Sequence, residues 1–128
     1  MNPSRPSIIV AAVLGAAAVA LGAFGAHALR GTLDDHALAI WHTAVDYQFW
    51  HALALLGVGV LARDRPTSTL FFAASAFVIG SVLFCGSLYA LALGAPRFIG
   101  AITPLGGVAL IAGWLALATH AWRDTGNG

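Results

Sequence analysis

Four long apolar stretches, separated by short polar segments, follow one another along the chain. They are residues 7–29, 38–61, 69–93 and 103–122. Each has about 20 to 25 residues, the length with which an α-helix crosses a hydrocarbon core of about 30 Å. Strands of a membrane barrel need only about 10 residues and alternate apolar with polar positions. The pattern therefore predicts four membrane-spanning helices, and their short connections predict antiparallel neighbours.

The composition agrees with a location in a bilayer. Of the 128 residues, 59% are hydrophobic and 9% are charged, whereas about a quarter of the residues of a soluble domain are charged. We therefore expect one integral membrane domain over residues 1–128, an all-α bundle of four transmembrane helices. Because the spans are apolar, membrane lipids are expected partners. The net charge of +1 creates no field that attracts a polyanion, so nucleic acid is not an expected partner.

The first span imitates a secretory signal peptide. Arg5 precedes an apolar run that ends at Ala26-His27-Ala28, a small-x-small pattern like that of a cleavage site. The run is longer than the roughly 7 to 15 apolar residues of a typical signal peptide. We therefore expect this span to be retained as a helix.

Arginine is more frequent on one side of the predicted bundle. Both termini and the second connection share a side, which carries Arg5, Arg63, Arg65 and Arg123. The opposite side carries Arg30 and Arg97. Because positively charged segments tend to stay in the cytoplasm, this bias places both termini there.

The second span is exceptional because polar side chains are frequent in it. Residues 41–56 include two histidines, an aspartate, a glutamine, a tyrosine and two tryptophans. Polar groups at membrane depth are costly unless they find partners, so such a cluster marks the functional or packing centre of a membrane protein. His51 lies roughly 20 Å below the outer start of the span, near the bilayer midplane.

The candidate side chains concentrate in the predicted outer half of the bundle. The candidate ligand or packing cluster comprises His27, Trp41, Thr43, Tyr47, Gln48, His51, Cys85, Ser87, Tyr89 and Thr103. We interpret Tyr47 and His51 as interhelical hydrogen-bond partners that set the register of the bundle. Thr103 before Pro104 is typical of a helix N-cap followed by proline at the first helical position.

Small residues predict close helix packing. One stripe lies on the first helix and is formed by Ala11, Gly15, Ala18, Gly22 and Gly25. The other lies on the fourth helix and is formed by Gly106, Ala109, Gly113 and Ala116. Such stripes let membrane helices approach closely. On the third helix Ser81, Cys85 and Tyr89 recur every four residues, which predicts one inward face with Gly86 beside it.

Several of these motifs together resemble a known family. They are Gly22-Ala-Phe-Gly-Ala-His27, Trp41-x-Thr43 with Tyr47-Gln48-x-x-His51, Leu83-Phe-Cys-Gly-Ser-Leu-Tyr89, and Thr103-Pro-Leu-Gly-Gly107 with Gly113-Trp114. Over nearly its whole length the chain is similar to the small bacterial membrane proteins known as domain of unknown function 423, or uncharacterised protein family 0382, which also resemble a small eukaryotic transmembrane protein. The resemblance implies a multi-pass protein of the bacterial inner membrane with four helices and no established activity. The family usually has a serine where this chain has Cys85, and it leaves the positions of His42 and Asp46 variable.

The histidines and acids match no metal, haem or catalytic arrangement. Bis-histidine haem ligation needs two imidazoles at matching depth, and His51 has no such histidine partner. His27, His42 and Asp46 recur in no spacing typical of zinc or copper ligands. Ser87 and Asp46 supply residue types of a hydrolase, but no G-x-S-x-G context surrounds the serine. We therefore expect no metal, no cofactor and no catalytic residue.

Three functional interpretations remain. The favoured one is a structural or accessory subunit of the cell membrane, which packs its own bundle or docks to a larger membrane complex. The alternative is a binding module for a lipid, quinone or similar amphiphile in an outer-half pocket between the helices. A transporter or channel is disfavoured because the two halves of the chain show no internal repeat. A cavity bordered by Tyr47, His51 and Tyr89 would favour the binding module, and an outer half filled by its own side chains would favour the subunit.

Asp46 is the only acid inside a predicted span. An isolated charge there would cost about 3 kcal/mol or more. We therefore expect this carboxyl group to be neutral, in contact with water, or paired with Arg30 or Arg97 reaching in from the outer rim.

The arginine bias gives a testable topology. A cysteine introduced at Ser68 is expected to resist a membrane-impermeant thiol reagent in intact cells, whereas one at Gly94 is expected to react. The opposite labelling pattern would refute the orientation and place the polar cluster in the cytoplasmic half.

Overall fold

The structure is a computed structural model that describes residues 1–126, nearly all of which lie in helices. The long helices are α1 (Ser4–His27), α2 (Asp35–Asp64), α3 (Ser68–Ala92) and α4 (Ile102–Thr125). A short 3-10 helix, Arg97–Ala101, leads directly into α4. Each long helix is long and apolar enough to cross a membrane. The prediction of an all-α protein with four transmembrane helices is confirmed, and the described residues include no strand.

Side-chain caps explain where the two central helices begin. The carboxylate of Asp34 accepts a hydrogen bond from the backbone N–H of Ala37 at 2.8 Å. The hydroxyl of Thr67 accepts one from the N–H of Leu70 at 3.2 Å. These bonds satisfy backbone N–H groups that the first helical turn leaves without an intrahelical partner. They thereby stabilise the first turns of α2 and α3.

The expected N-cap at Thr103 is wrong. Helix α4 begins at Ile102, because the preceding 3-10 helix continues into it without an extended cap residue. Pro104 is then the third residue of α4, where a missing N–H costs no intrahelical bond. The hydroxyl of Thr103 therefore does not cap the helix and pairs with another side chain, described below.

The helices pack in the order of the chain, α1 on α2, α2 on α3 and α3 on α4. Each neighbouring pair is antiparallel, so both ends of the described chain lie on the same side of the bundle. Helices α2 and α3 form the centre, and α1 and α4 flank it. A hydrophobic cluster that includes Leu55, Val58, Leu70, Phe77 and Leu110 fills the contacts between them. The cytoplasmic location of the termini stays a prediction.

Glycines set the distance between α3 and α4. A Cβ atom at Gly106 would overlap the backbone of Phe84, and one at Gly113 would lie 2.7 Å from the ring of Phe77. A Cβ at Gly80 would lie 2.7 Å from the side chain of Leu110. The predicted stripe on α4 therefore does face a neighbouring helix, with Gly106, Gly113 and Ala116 buried.

The stripe on α1 is narrower than expected. Ala11, Ala18 and Gly25 are buried, at intervals of seven residues. Gly15 has nothing within 4 Å of the position of a Cβ atom. Only one side of α1 faces the bundle, because this helix packs extensively on α2 alone. Residues that face a single partner helix recur every seven positions.

The inward face of α3 agrees in part with its prediction. Ser81 and Cys85 are buried and Tyr89 is half-buried. Gly86 is exposed, with nothing within 4 Å of the position of its Cβ atom. One step of about 100° along a helix is enough to move a residue from the packed face to the surface.

Gly94, just after the end of α3, has a left-handed backbone conformation with φ of 96°. The N–H of Ala95 donates to the carbonyl of Ala90 at 2.9 Å, and the N–H of Gly94 donates to that of Leu91 at 3.1 Å. This is the Schellman pattern of a helix C-terminus. A side chain at Gly94 would be strained, so exposed Arg97 is the better position for an outer cysteine in the topology test.

The close approach of α3 and α4 gives a stability prediction. Gly106→Ala is expected to destabilise the protein by about 1 to 3 kcal/mol, because the added methyl group must push the backbone of Phe84 away. Gly107→Ala is the matched control, since its Cβ would lie 3.8 Å from the Phe84 ring, an ordinary contact. The control is expected to be neutral or to gain up to about 1 kcal/mol from helix propensity. Thermal unfolding in detergent measures both, and equal effects of the two substitutions would contradict the packing described here.

Candidate functional site

The buried amide of Gln48 connects three helices. Its Nε2 atom donates to the backbone carbonyl of Leu14 in α1 at 2.9 Å. Its Oε1 atom accepts from the hydroxyl of Tyr89 in α3 at 2.8 Å. The side chain is 5% exposed, so both bonds are shielded from solvent. Gln48 thereby sets the depth of α1 and α3 relative to α2.

His51 lies one turn further along α2 and connects it to α4. Its Nδ1 atom is 2.7 Å from the backbone carbonyl of Tyr47. Its Nε2 atom is 3.1 Å from the indole Nε1 of Trp114. A carbonyl only accepts and an indole N–H only donates. The ring therefore carries its proton on Nδ1 and is neutral, with both nitrogens engaged.

Aromatic rings fill the space around these two polar residues. The indole of Trp41 donates to the carbonyl of Leu21 at 3.0 Å and packs on Gly25, where no side chain interferes. Its ring centroid is 4.7 Å from that of Tyr89. The ring of Tyr47 lies 4.5 Å from that of Phe84, between centroids. The aromatic side chains of α2 and α3 thus fill their contact at the end of the bundle where α2 begins and α3 ends.

A hydroxyl pair joins α3 to the start of α4. The oxygen atoms of Ser87 and Thr103 are 2.6 Å apart. Ser87 also donates to the carbonyl of Phe84 at 3.0 Å. With the Ser87 proton used in this way, the hydroxyl of Thr103 donates to Ser87. The pair satisfies two polar groups at the point where α4 enters the bundle.

The structure brings together seven of the ten candidate residues. Trp41, Tyr47, Gln48, His51, Ser87, Tyr89 and Thr103 all take part in the contacts described above. His27 and Thr43 are exposed, and Thr43 bonds to the carbonyl of Ala39 on its own helix. Cys85 is buried as a free thiol. A binding role for the cluster stays a prediction.

Several groups that bond to Gln48, His51 and Trp41 were not predicted from the sequence pattern. Trp114 was noted only within the family motif, and the carbonyls of Leu14 and Leu21 carry no signal in the sequence. Trp114 could have been matched with His51 by depth, since both lie near the middle of their spans. A backbone carbonyl that accepts a second hydrogen bond has no such sequence signal.

The polar cluster around Gln48 and His51 makes its hydrogen bonds and ring contacts within the chain. In the described part of the chain, Ser81 Oγ is the buried side-chain polar atom without a hydrogen-bond partner. An apolar groove of about 360 Å³ lies at the opposite end of the bundle, between the first turns of α1 and of α3. Its lining includes Pro6, Val10, Phe71 and Val78, and none of Tyr47, His51 or Tyr89.

Metal ligands do not cluster among residues 1–126. No group of three or more His, Cys, Asp or Glu side chains lies close enough there to hold a metal ion. His42 and Asp46 lie on the exposed face of α2, away from His51.

Comparison with known proteins agrees with this architecture. Residues 21–107 match the model of a family described as protein of unknown function (DUF423). The UPF0382 inner membrane protein YgdD of Escherichia coli (strain K12) is 45% identical over 121 residues, which cover 94% of this chain and 92% of YgdD. The UPF0382 membrane protein YwdK of Bacillus subtilis (strain 168) is 44% identical over 115 residues, which cover 89% of this chain and 94% of YwdK.

A third relative comes from another genus. A UPF0382 membrane protein of Staphylococcus haemolyticus is 42% identical over 119 residues, or 93% of this chain and 97% of the relative. No solved structure matches the chain. The matching family model, these identities and the four apolar helices together show that the chain belongs to the DUF423 (UPF0382) family and is a small multi-pass protein of the bacterial inner membrane.

Proposed function

We propose that this protein is a structural or accessory subunit of the cell membrane. In this role it forms a self-contained helix bundle, and its outer surface docks to lipids and to a larger membrane complex. The observation that carries the proposal is that the polar side chains buried between the helices, apart from Ser81, bond to other groups of the chain. Gln48 and His51 both have their donor and acceptor atoms engaged within the chain.

The same contacts argue against catalysis in this cluster. A general base needs an unprotonated atom that faces the proton it removes, and the unprotonated nitrogen of His51 faces the indole of Trp114 instead. Both nitrogens of His51 are occupied, one by a carbonyl and one by the indole of Trp114. The hydroxyl of Ser87 contacts Thr103 and the carbonyl of Phe84. These groups have the arrangement of packing contacts between helices, which stabilise membrane bundles.

The outside of the bundle supports a docking role. Large apolar side chains are exposed on all four helices, among them Val13, Leu53, Val82 and Val108. In a bilayer these side chains meet lipid tails, and helix faces of this kind also pack on other membrane proteins. The proposal therefore assigns function to the outer surface and stability to the polar interior.

The alternative function, binding of an amphiphile, is supported by one observation, the groove between α1 and α3. The groove is lined mainly by apolar side chains such as Val10, Phe71 and Ile79. It is open to the surroundings of the bundle, so acyl chains of ordinary membrane lipids can fill it. This groove lies at the end of the bundle where the chain begins. The pocket expected between the helices near His51 stays a prediction, which the substitutions below test.

Substitutions of His51 test the packing role against a ligand role. His51→Gln is expected to keep a bond to Trp114 and to change thermal stability in detergent by less than about 1 kcal/mol. His51→Leu is expected to lose about 1 to 2 kcal/mol, because the indole N–H of Trp114 is left without an acceptor. Trp114→Phe is the matched control, since it removes the donor from the other side of the bond.

Native lipid extract completes this test. A ligand that binds only the folded protein would raise its stability by mass action. If His51 held such a ligand, both His51 variants would lose the stabilisation that the extract gives to the unsubstituted protein. The proposal expects the same response to the extract in all variants, and a selective loss in the His51 variants would overturn it.

A double-mutant cycle tests the bond between Gln48 and Tyr89. Gln48→Leu and Tyr89→Phe each remove one side of the 2.8 Å hydrogen bond. Their combined effect is expected to be smaller than the sum of the two by about 0.6 kcal/mol and by at most about 1.7 kcal/mol, the mean and the maximum for such bonds between membrane helices. Thr43→Val is the control, because its hydroxyl bonds only within α2. Strict additivity of the Gln48 and Tyr89 effects would contradict a packing role for this bond.

A further inference from the structure

One face of α2 is exposed along its whole length and repeats every seven residues. We call this face the outer seam of α2, and two sets of residues alternate along it. The first set is Ala39, Asp46, Leu53 and Val60, and the second is His42, Phe49, Leu56 and Arg63. Every one of these residues is exposed. The spacing alternates between three and four residues, which is the seam of a left-handed coiled coil. No helix of the described chain covers the seam.

Asp46 is the acidic residue of the seam, and it lies between His42 near one end and Arg63 at the other. Asp46 is two residues from Gln48, whose amide contacts Leu14 near the centre of α1. At 1.5 Å per residue, Asp46 is therefore about 3 Å from the level of Leu14 along the helix axis. An acidic side chain at this depth and on the outside of the bundle faces lipid, where a polar group without a partner is costly.

The expected partners of Asp46 within the chain are not used. The salt bridge found in residues 1–126 joins Arg65 to Asp124, at the end of the bundle where the termini lie. Arg30 and Arg97, the two arginines at the outer rim, are exposed and form no salt bridge in that range. The expected pairing of Asp46 with either arginine is therefore wrong for this bundle. The partner of Asp46 has to come from outside the chain or from water.

We propose that a second copy of this chain covers the outer seam of α2, in a parallel homodimer with Asp46 of both copies in contact. All copies of one membrane protein insert with the same orientation. A two-fold axis along the membrane normal then brings the same positions of two α2 helices together at the same depth. A second copy is thus a partner that necessarily presents a matching polar group opposite Asp46.

The chemistry of the seam fits such a pair. Two carboxyl groups that both carry their proton can each donate an O–H to the carbonyl oxygen of the other, so that both are bonded and no net charge faces the lipid. Between His42 near one end and Arg63 at the other, Asp46 is the one polar residue of the seam. In coiled coils, a single polar residue in an apolar seam specifies register and partner number. The layers below Asp46 are Phe49, Leu53 and Leu56, large apolar side chains that can interdigitate. Ala39 above it allows the two helices to approach closely.

Disulfide crosslinking in native membranes tests the dimer. Cys85→Ala first removes the single native thiol, which is buried. In this background, Leu53→Cys is expected to give an oxidised homodimer, because the same residue of two copies meets across the axis. Leu115→Cys is the matched control. Leu115 is 64% exposed and Leu53 is 54% exposed, and Leu115 follows Trp114, which lies at the level of His51. The control is expected to give little dimer.

The role of Asp46 is tested in the same background. Asp46→Leu is expected to weaken dimerisation by about five- to thirty-fold, the effect of losing one hydrogen bond between membrane helices. Asp46→Asn is expected to preserve the dimer, because two amides can bond to each other. Both variants alter an exposed position, so the fold of the bundle is expected to survive.

Two results would overturn the proposal. One is crosslinking through Leu53→Cys that does not exceed that through Leu115→Cys, which would leave the seam to lipid or to a different protein. The other is crosslinking that Asp46→Leu does not reduce. Neither result bears on the subunit function proposed above, because the outer seam lies outside the polar interior that the His51 and Gln48 variants test.

Discussion

The architecture depends on the pairing of polar groups that lipid cannot solvate. The amide of Gln48 is the clearest case, since one side chain bonds to the backbone of α1 and to the tyrosine hydroxyl of α3. Sliding either helix by one turn would break a bond that no water molecule replaces in a hydrocarbon environment. The apolar side chains around it give no comparable register, because lipid tails are as apolar as leucine. A few hydrogen bonds therefore select one arrangement of the helices among the many that would bury similar apolar surface.

Close backbone approach supplies the second constraint. Gly106 lies against the backbone of Phe84, and Gly113 against the ring of Phe77. Dispersion forces between atoms fall off steeply with distance, so helices without side chains between them gain the most from contact. This approach also brings Trp114 near enough to donate to His51. Packing and hydrogen bonding thus depend on each other at the contact between α2, α3 and α4.

The two polar residues Asp46 and Gln48 have opposite environments although they are neighbours in sequence. A separation of two residues turns a helix by about 200°, so Gln48 points into the bundle and Asp46 points out of it. The hydrogen bonds of Gln48 and His51 are made within the bundle without Asp46, whose carboxyl group forms no salt bridge among residues 1–126. This contrast is the reason for assigning stability to one face of α2 and assembly to the other.

Much of this fold was predictable from the sequence by itself. The number of spans, their antiparallel order and the concentration of polar groups in α2 follow from residue type and spacing, because hydropathy over about 20 residues decides whether a helix can cross a membrane. The four motifs that carry the family resemblance are also visible in the sequence alone. Gln48, His51 and Tyr89 were already candidates for contacts between helices, since buried polar groups need partners.

Only the tertiary structure decided which groups meet. The carbonyls of Leu14 and Leu21 became acceptors because of the rotation and depth of α1 against α2, and no residue type announces such a role. The start of α4 at Ile102 depended on the preceding 3-10 helix, which overrode the local N-cap pattern at Thr103. The exposure of Asp46 likewise followed from which side of α2 its neighbours cover. Hydropathy and local motifs describe each helix alone, whereas these features belong to the contacts between helices.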